Sequence, residues 1–297
     1  MDNDQTSISS RPVFPPGGPI TLLISLVVYT ASSSAGVTEA DQVTVAQKKD
    51  APTSEWPDAT NTGVPKNIKL RPSGDLVISR AGTVVSDLDI EGAVDIDASD
   101  VTLMQSRVRA ARFDVVRIKP GLKGVVIRDC EIDGVGTGNE GSNGIRGTGT
   151  FLRNNIHHVE NGITLNGNDT IIQDNYVHDL KASGSPHYDG IQIDGGISNV
   201  VITHNTVINS WGQTSAVMID NYFGPISNIR VANNLLVGGG YTVYSDGQFN
   251  GETITGVSFT NNHMGKGHWG YTAFNRNSPE YTGNINDGAA LAQSINR

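Results

Sequence analysis

The chain has little of what staples, charges or anchors a protein. It holds one cysteine, Cys130, which excludes an internal disulfide. That thiol falls at an inward-facing bend of the repeat described below, which predicts a small buried apolar side chain and not a nucleophile. Charged residues make up 17% of the 297, and the net charge is −9. No basic stripe is present, which argues against a nucleic-acid ligand. Long amphipathic helical patterns are missing. Apolar runs are short, with one exception, ITLLISLVVYTA at 20–31. That run falls below the ~20 residues of a transmembrane helix, so no stable membrane span is expected. Ser33, Ser34 and Ala35 follow it, so residues 1–36 read as a secretory signal peptide or anchor, although Asp2 and Asp4 stand where a basic start is usual. A secreted, extracellular protein is expected on that reading. Residues 37–53 read as a polar linker.

What the chain does have is a returning phrase: an apolar residue, a short variable step, Asn, one further residue and another apolar residue. It occurs around Asn154, Asn175, Asn205, Asn234 and Asn262, with Leu88, Ser106 and Cys130 in the same slot upstream. These positions step by 18, 24, 24, 21, 30, 29 and 28 residues. A period of this length, built from short β-branched runs, is the signature of a solenoid. Asn suits a tight bend because it tolerates left-handed backbone, and its stacked amides can bond from coil to coil.

A second phrase repeats in step with the first. Examples are Val94-Asp95-Ile96-Asp97, Val116-Arg117-Ile118-Lys119, Ile191-Gln192-Ile193-Asp194 and Val217-Met218-Ile219-Asp220. Strand alternation turns its first and third residues inward and its second and fourth outward. Each coil therefore has three strands: this phrase, a strand before the Asn bend and a strand after it. The prediction is an all-β, single-stranded right-handed parallel β-helix of about eight coils over residues 76–275. Residues 54–75, with Trp56 placed to cover the open end, read as an N-terminal cap, and 276–297 as a C-terminal cap or tail.

The outward residues form columns across the first-strand face. The fourth-position column runs Asp97, Lys119, Thr148, Asn166, Asp194, Asp220, Asp246 and Asn275. The second-position column includes Asp95, Arg117, Arg146, Gln192 and Tyr244. This predicts a groove that is basic upstream and acidic downstream. Three stacked carboxylates repel one another unless a cation sits among them or one keeps a proton. Asp194, Asp220 and Asp246 are thus candidate ligands for Ca²⁺, candidate acid–base groups, or plain turn formers. The loop KASGSPHYD places His187, Tyr188 and Asp189 at the groove edge, where they could supply a base, an acid and an orienting group. Asp133, His157 and His178 are expected to stack on another face, as a hydrogen-bonded ladder or a metal site.

The three-strand coil, its Asn bend and the long loops before the first strand resemble the pectate-lyase-like right-handed parallel β-helix superfamily. The phrases WPDATNTGVP, NNIHHVENGI, HYDGIQIDGG and FGPISNI are similar to bacterial and phage β-helix repeat proteins. Lyases, hydrolases, epimerases and phage tailspikes share this scaffold, so the resemblance carries the fold further than the activity. The mixed basic and acidic groove motivates an acidic polysaccharide on the first-strand face. The leading expectation is β-elimination on a uronate polymer. Arg146 or Lys181 would neutralise the carboxylate, and His187 or Tyr188 would move the proton. Asp189 and the Asp column would orient groups or hold Ca²⁺. Gln192, Arg117, Lys119, Asn166, Tyr244 and Trp211 would contact the sugar. C5-epimerisation begins with the same proton abstraction. Glycoside hydrolysis and a non-catalytic glycan-binding surface or tail module are the alternatives. A monomer is expected for an enzyme, and a trimer for a tail fibre.

Overall fold

The computed structural model describes residues 55–136 and 140–295. The expected signal segment and linker lie outside the described residues. Short parallel strands form three nine-stranded sheets, each taking one strand from every coil. The result is the expected parallel β-helix with three strands per coil, its parallel crossovers following the right-handed rule. Among the described residues the single α-helix, Gly288–Ile295, lies at the C-terminal end. No helix among them is long and apolar enough to cross a membrane.

The first sheet runs from Leu76–Ile78 to Gly270–Asn275. Pairing reaches further at both ends. The sheet after the bend starts at Arg71–Ser73, and the sheet before it ends at Glu280–Thr282. The second phrase stacks in register: Val94 pairs with Val116, Val116 with Ile145, Ile145 with Ile163, Ile163 with Ile191, and Ile191 with Val217. All six side chains are buried. Each contributes roughly 1.5–3 kcal/mol of apolar burial.

The asparagine ladder is continuous. The Asn205 side-chain amide donates to Ile172 O and to Asn234 Oδ1, at 2.9 and 3.0 Å. Its own Oδ1 accepts from the backbone and side-chain amides of Asn175, both at 2.9 Å. Asn154, Asn175, Asn234 and Asn262 repeat this pattern, and Asn284 adds a further rung. The left-handed backbone falls one residue before the ladder position, not on the ladder Asn as expected. Asp129, Arg153, Asp174, His204, Asn233 and Asn261 carry it, with φ of 50–56°. The bend needs one residue to reverse the chain and the next to point its amide inward. Cys130 occupies the inward slot, where burial pushes its thiol up to about 12.

Trp56 does not cover the open end. Its ring stacks on His204 at 5.4 Å and meets the edge of His263 at 5.1 Å, so the N-terminal segment lies along the flank of later coils. Gly63 N–H donates to Arg153 O at 2.9 Å and holds the segment there. An aromatic before a turn-rich stretch does not distinguish an end cap from a flank strap.

Candidate functional site

The first-strand face forms the predicted columns, but their charges behave differently at the two ends. Upstream, the register sets Arg117 beside Asp95. Arg117 Nε donates to Asp95 Oδ1 at 2.6 Å, and its other arm reaches Asp97 Oδ1 at 3.2 Å. Arg146 binds both oxygens of Asp114, with Nε at 2.8 Å from Oδ1 and Nη2 at 2.6 Å from Oδ2. The two guanidiniums of the expected basic half are therefore closed in ion pairs. The triplet Arg117-Ile118-Lys119 lies on this strand, with its guanidinium held by Asp95 and Asp97. Lys119 is exposed. Asn166 is committed to the scaffold, donating to Ile118 O at 3.1 Å and accepting from Thr148 at 2.9 Å. Gln192 accepts from Thr164 at 3.1 Å.

Downstream, no cationic side chain among the described residues balances the column in this way. Asp220 and Asp246 face each other in parallel register at the ends of adjacent strands. Burial pushes the Asp194 carboxyl up to about 7, with the charge of Asp220 adding and a hydrogen bond from Gln192 opposing. Asp194 Oδ1 is buried and has no hydrogen-bond partner among the described residues. Burial likewise raises Asp220 to about 6, with the Tyr222 N–H, at 2.9 Å from Oδ1, opposing and Asp246 adding. Asp246 accepts from the Gln248 N–H at 3.1 Å and from the Asn275 amide at 3.0 Å. Beside this column stand Tyr222, Phe223 and Phe249, exposed by 57%, 71% and 53%. Their rings meet edge to face, Tyr222 lying 4.8 Å from Phe223 and 5.7 Å from Phe249. Reading the columns alone misses both phenylalanines. The available signal was a spacing, since each lies three residues after a column aspartate, Asp220 or Asp246. Tyr244 is half-buried in the second column, its phenol raised by burial.

The expected His187–Tyr188–Asp189 constellation is not assembled. Asp189 faces inward with Ile191 and Ile193, as strand alternation requires, and accepts from the Ser215 N–H and hydroxyl at 3.2 and 3.0 Å. Burial, with Asp194 and Asp220 adding, raises its carboxyl well above the ordinary range. Tyr188 is buried against Trp211, the rings nearly parallel at 4.3 Å. Trp211 Nε1 donates to Leu180 O at 2.7 Å. This stack separates two clefts. One, of about 410 Å³, includes His158, Lys181 and Ser210 in its lining. The other, of about 480 Å³, includes the exposed His187 with Glu140 and Gln213. Lys181 and Trp211 are thus brought together, while Arg146 and Asp189 line neither cleft.

On the sheet after the bend, Asp133, His157 and His178 stack in register as expected. His178 Nδ1 and Nε2 are engaged by Asp179 and Asn155, both at 2.8 Å, and burial holds its ring down at about 4. His158, the next residue along from His157, turns back into the cluster and lies 2.9 Å from Asp133. Comparison of the chain with protein-family models, with curated proteins and with solved structures found no match.

Proposed function

We propose that the first-strand face binds a polysaccharide and that its acidic column cleaves a glycosidic bond by acid–base chemistry. The observation that carries this reading is the pair Asp194 and Asp220, whose carboxyls are pushed up to about 7 and 6 beside three exposed aromatic rings. Aromatic faces next to polar groups suit sugar rings. A carboxylic acid that keeps its proton near neutral pH is what protonation of a leaving oxygen needs. Asp194 is assigned as that acid, and Asp220 or Asp246 as the carboxylate that attacks or activates water. Coils stack at about 4.8 Å, so Asp194 with Asp220 suits the ~5–5.5 Å of a retaining pair, and Asp194 with Asp246 the wider inverting one. Hydrolysis is favoured over β-elimination because, of the two cations expected to neutralise a uronate, Arg146 is bound to both oxygens of Asp114 and Lys181 lines a cleft that none of the three column aspartates lines.

One observation favours a second reading, elimination on a uronate polymer with Ca²⁺. Asp194 Oδ1 is buried without a partner among the described residues, and the column offers only hard oxygen donors. Asp194, Asp220 and Asp246 would hold the ion, which would supply the positive charge that binds the uronate carboxylate. The test is incubation with neutral and uronate polysaccharides, with and without a chelator. Release of reducing ends without ultraviolet absorbance, insensitive to chelator, supports hydrolysis. Chelator-sensitive absorbance supports elimination. Binding without either product reduces the protein to a glycan-binding module, and no binding at all removes the glycan reading.

A further inference from the structure

We propose that Asp133, His157 and His158 form a binding site for a divalent transition metal of the zinc class. The site is separate from the acidic column and does not rest on the glycan reading. Its three potential ligand atoms converge. His157 Nδ1 lies 2.9 Å from His158 Nδ1, His158 Nδ1 lies 2.9 Å from Asp133 Oδ1, and His157 Nδ1 lies 3.7 Å from that same oxygen. These edges bracket the roughly 3.3 Å between ligands of a tetrahedral site with bonds of about 2.0–2.1 Å.

The hydrogen-bond arrangement leaves the same need. Two imidazole nitrogens and a carboxylate oxygen meet at one point, and neutral rings bring at most two protons to three lone-pair atoms. A cation satisfies all three at once. Glu131 Oε1 lies 3.7 Å from the far nitrogen of His157, Nε2. A carboxylate there favours a proton on Nε2 and frees Nδ1 to bind metal, the outer-shell arrangement common among metal-bound histidines. Asp133 Oδ1 also accepts from the Val135 N–H at 2.7 Å, and Arg109 approaches Oδ2 at 3.4 Å, which fixes the carboxylate.

The chain is folded to make this convergence. Adjacent strand residues point to opposite faces, so His157 and His158 should diverge. His158 instead has a φ of 55°, which brings its ring back beside that of His157 at 4.5 Å. The close turn demands glycine in the preceding coil, because a Cβ on Gly134 would meet His158 O at 2.4 Å. His158 keeps 41% of its side chain exposed and also lines the cleft with Lys181 and Trp211, so an ion has a route in. Three protein ligands leave a fourth position for water or a ligand oxygen. Two nitrogens and one oxygen select a zinc-class ion over Ca²⁺.

The test is calorimetric titration of the full chain with Zn²⁺, and separately with Ca²⁺. One equivalent of Zn²⁺ is expected to bind with a Kd in the micromolar range or below, while Ca²⁺ neither binds at this site nor competes. Co²⁺ should give the intense visible absorbance of a tetrahedral nitrogen–oxygen site. His157→Ala, His158→Ala and Asp133→Asn should each weaken binding about 100-fold, whereas His268→Ala, remote from the cluster, should leave it unchanged. Circular dichroism shows whether each variant is folded, and the partly exposed His158 is the safest to replace. Absence of saturable Zn²⁺ binding overturns the proposal, as does unchanged affinity in folded His158→Ala. Octahedral-type Co²⁺ absorbance overturns the assigned ligand set.

Discussion

Two ladders climb this solenoid with the same rise per coil and opposite outcomes. The Asn ladder, from Asn154 to Asn284, is fully satisfied, because each amide carries both donor and acceptor and closes on the next rung. The Asp column of the first sheet has acceptors only. Asp194 and Asp220 cannot close on each other, and burial raises both carboxyls instead. Stacking of identical side chains stabilises a β-helix only when the side chain is self-complementary. Where it is not, the column needs a proton, a cation or a ligand, and a place that needs a ligand is a candidate for function.

The sharpest way to break the comparison is to turn one ladder into the other. Asn205→Asp removes the donor to Ile172 O and Asn234 and places an acceptor-only group in a buried site. It should cost at least about 3 kcal/mol or prevent folding, read by denaturant unfolding. The converse substitution, Asp194→Asn, should lower glycan cleavage by about 100-fold or more. It should also stabilise the fold at alkaline pH. The Asp194 carboxyl is raised on folding, to about 7, so the folded state binds the proton more tightly. Its stabilising contribution is complete below the unfolded value of ~3.9 and is lost as pH rises through about 7. The gain from Asp194→Asn should therefore grow across that window and be absent below it, as measured by thermal unfolding at a series of pH values.

Smaller effects sharpen the contrast between the two halves of the first sheet. Arg146→Gln unpairs Asp114 and should cost about 1–2 kcal/mol, between the values for surface and buried pairs. Turnover should be unchanged, and its abolition would restore the elimination reading. Phe223→Ala and Phe249→Ala should each weaken glycan binding by about three- to tenfold, with unfolding midpoints unmoved because both rings are exposed. Affinity electrophoresis in polysaccharide gels checks this.

The fold was legible because parallel in-register stacking turns a one-dimensional repeat into columns. Reading Asp194, Asp220 and Asp246 down the fourth position gave the acidic column directly. Reading down columns also hid what lies across them. Asp114 precedes its phrase, so its capture of Arg146 was invisible. Asp189 precedes its own phrase too, yet the same alternation assigns it to the interior. The Asn284 rung was missed because Tyr281-Thr282-Gly283-Asn284 keeps only the first part of the phrase, with Asn286 standing where the closing apolar residue belongs. His158 was hidden for a different reason, since its place in the cluster depends on a single left-handed residue that period-two alternation does not contain.

Acid–base chemistry on this face requires that the Asp column hold a proton near neutral pH. The direct measurement is a pH titration of aspartate carboxyl carbon shifts by NMR, comparing the protein with its Asp194→Asn variant to assign the resonance. A midpoint near 7 is expected for Asp194, absent from the variant. A midpoint at the ordinary ~3.9 would contradict it and leave the column as turn-forming residues.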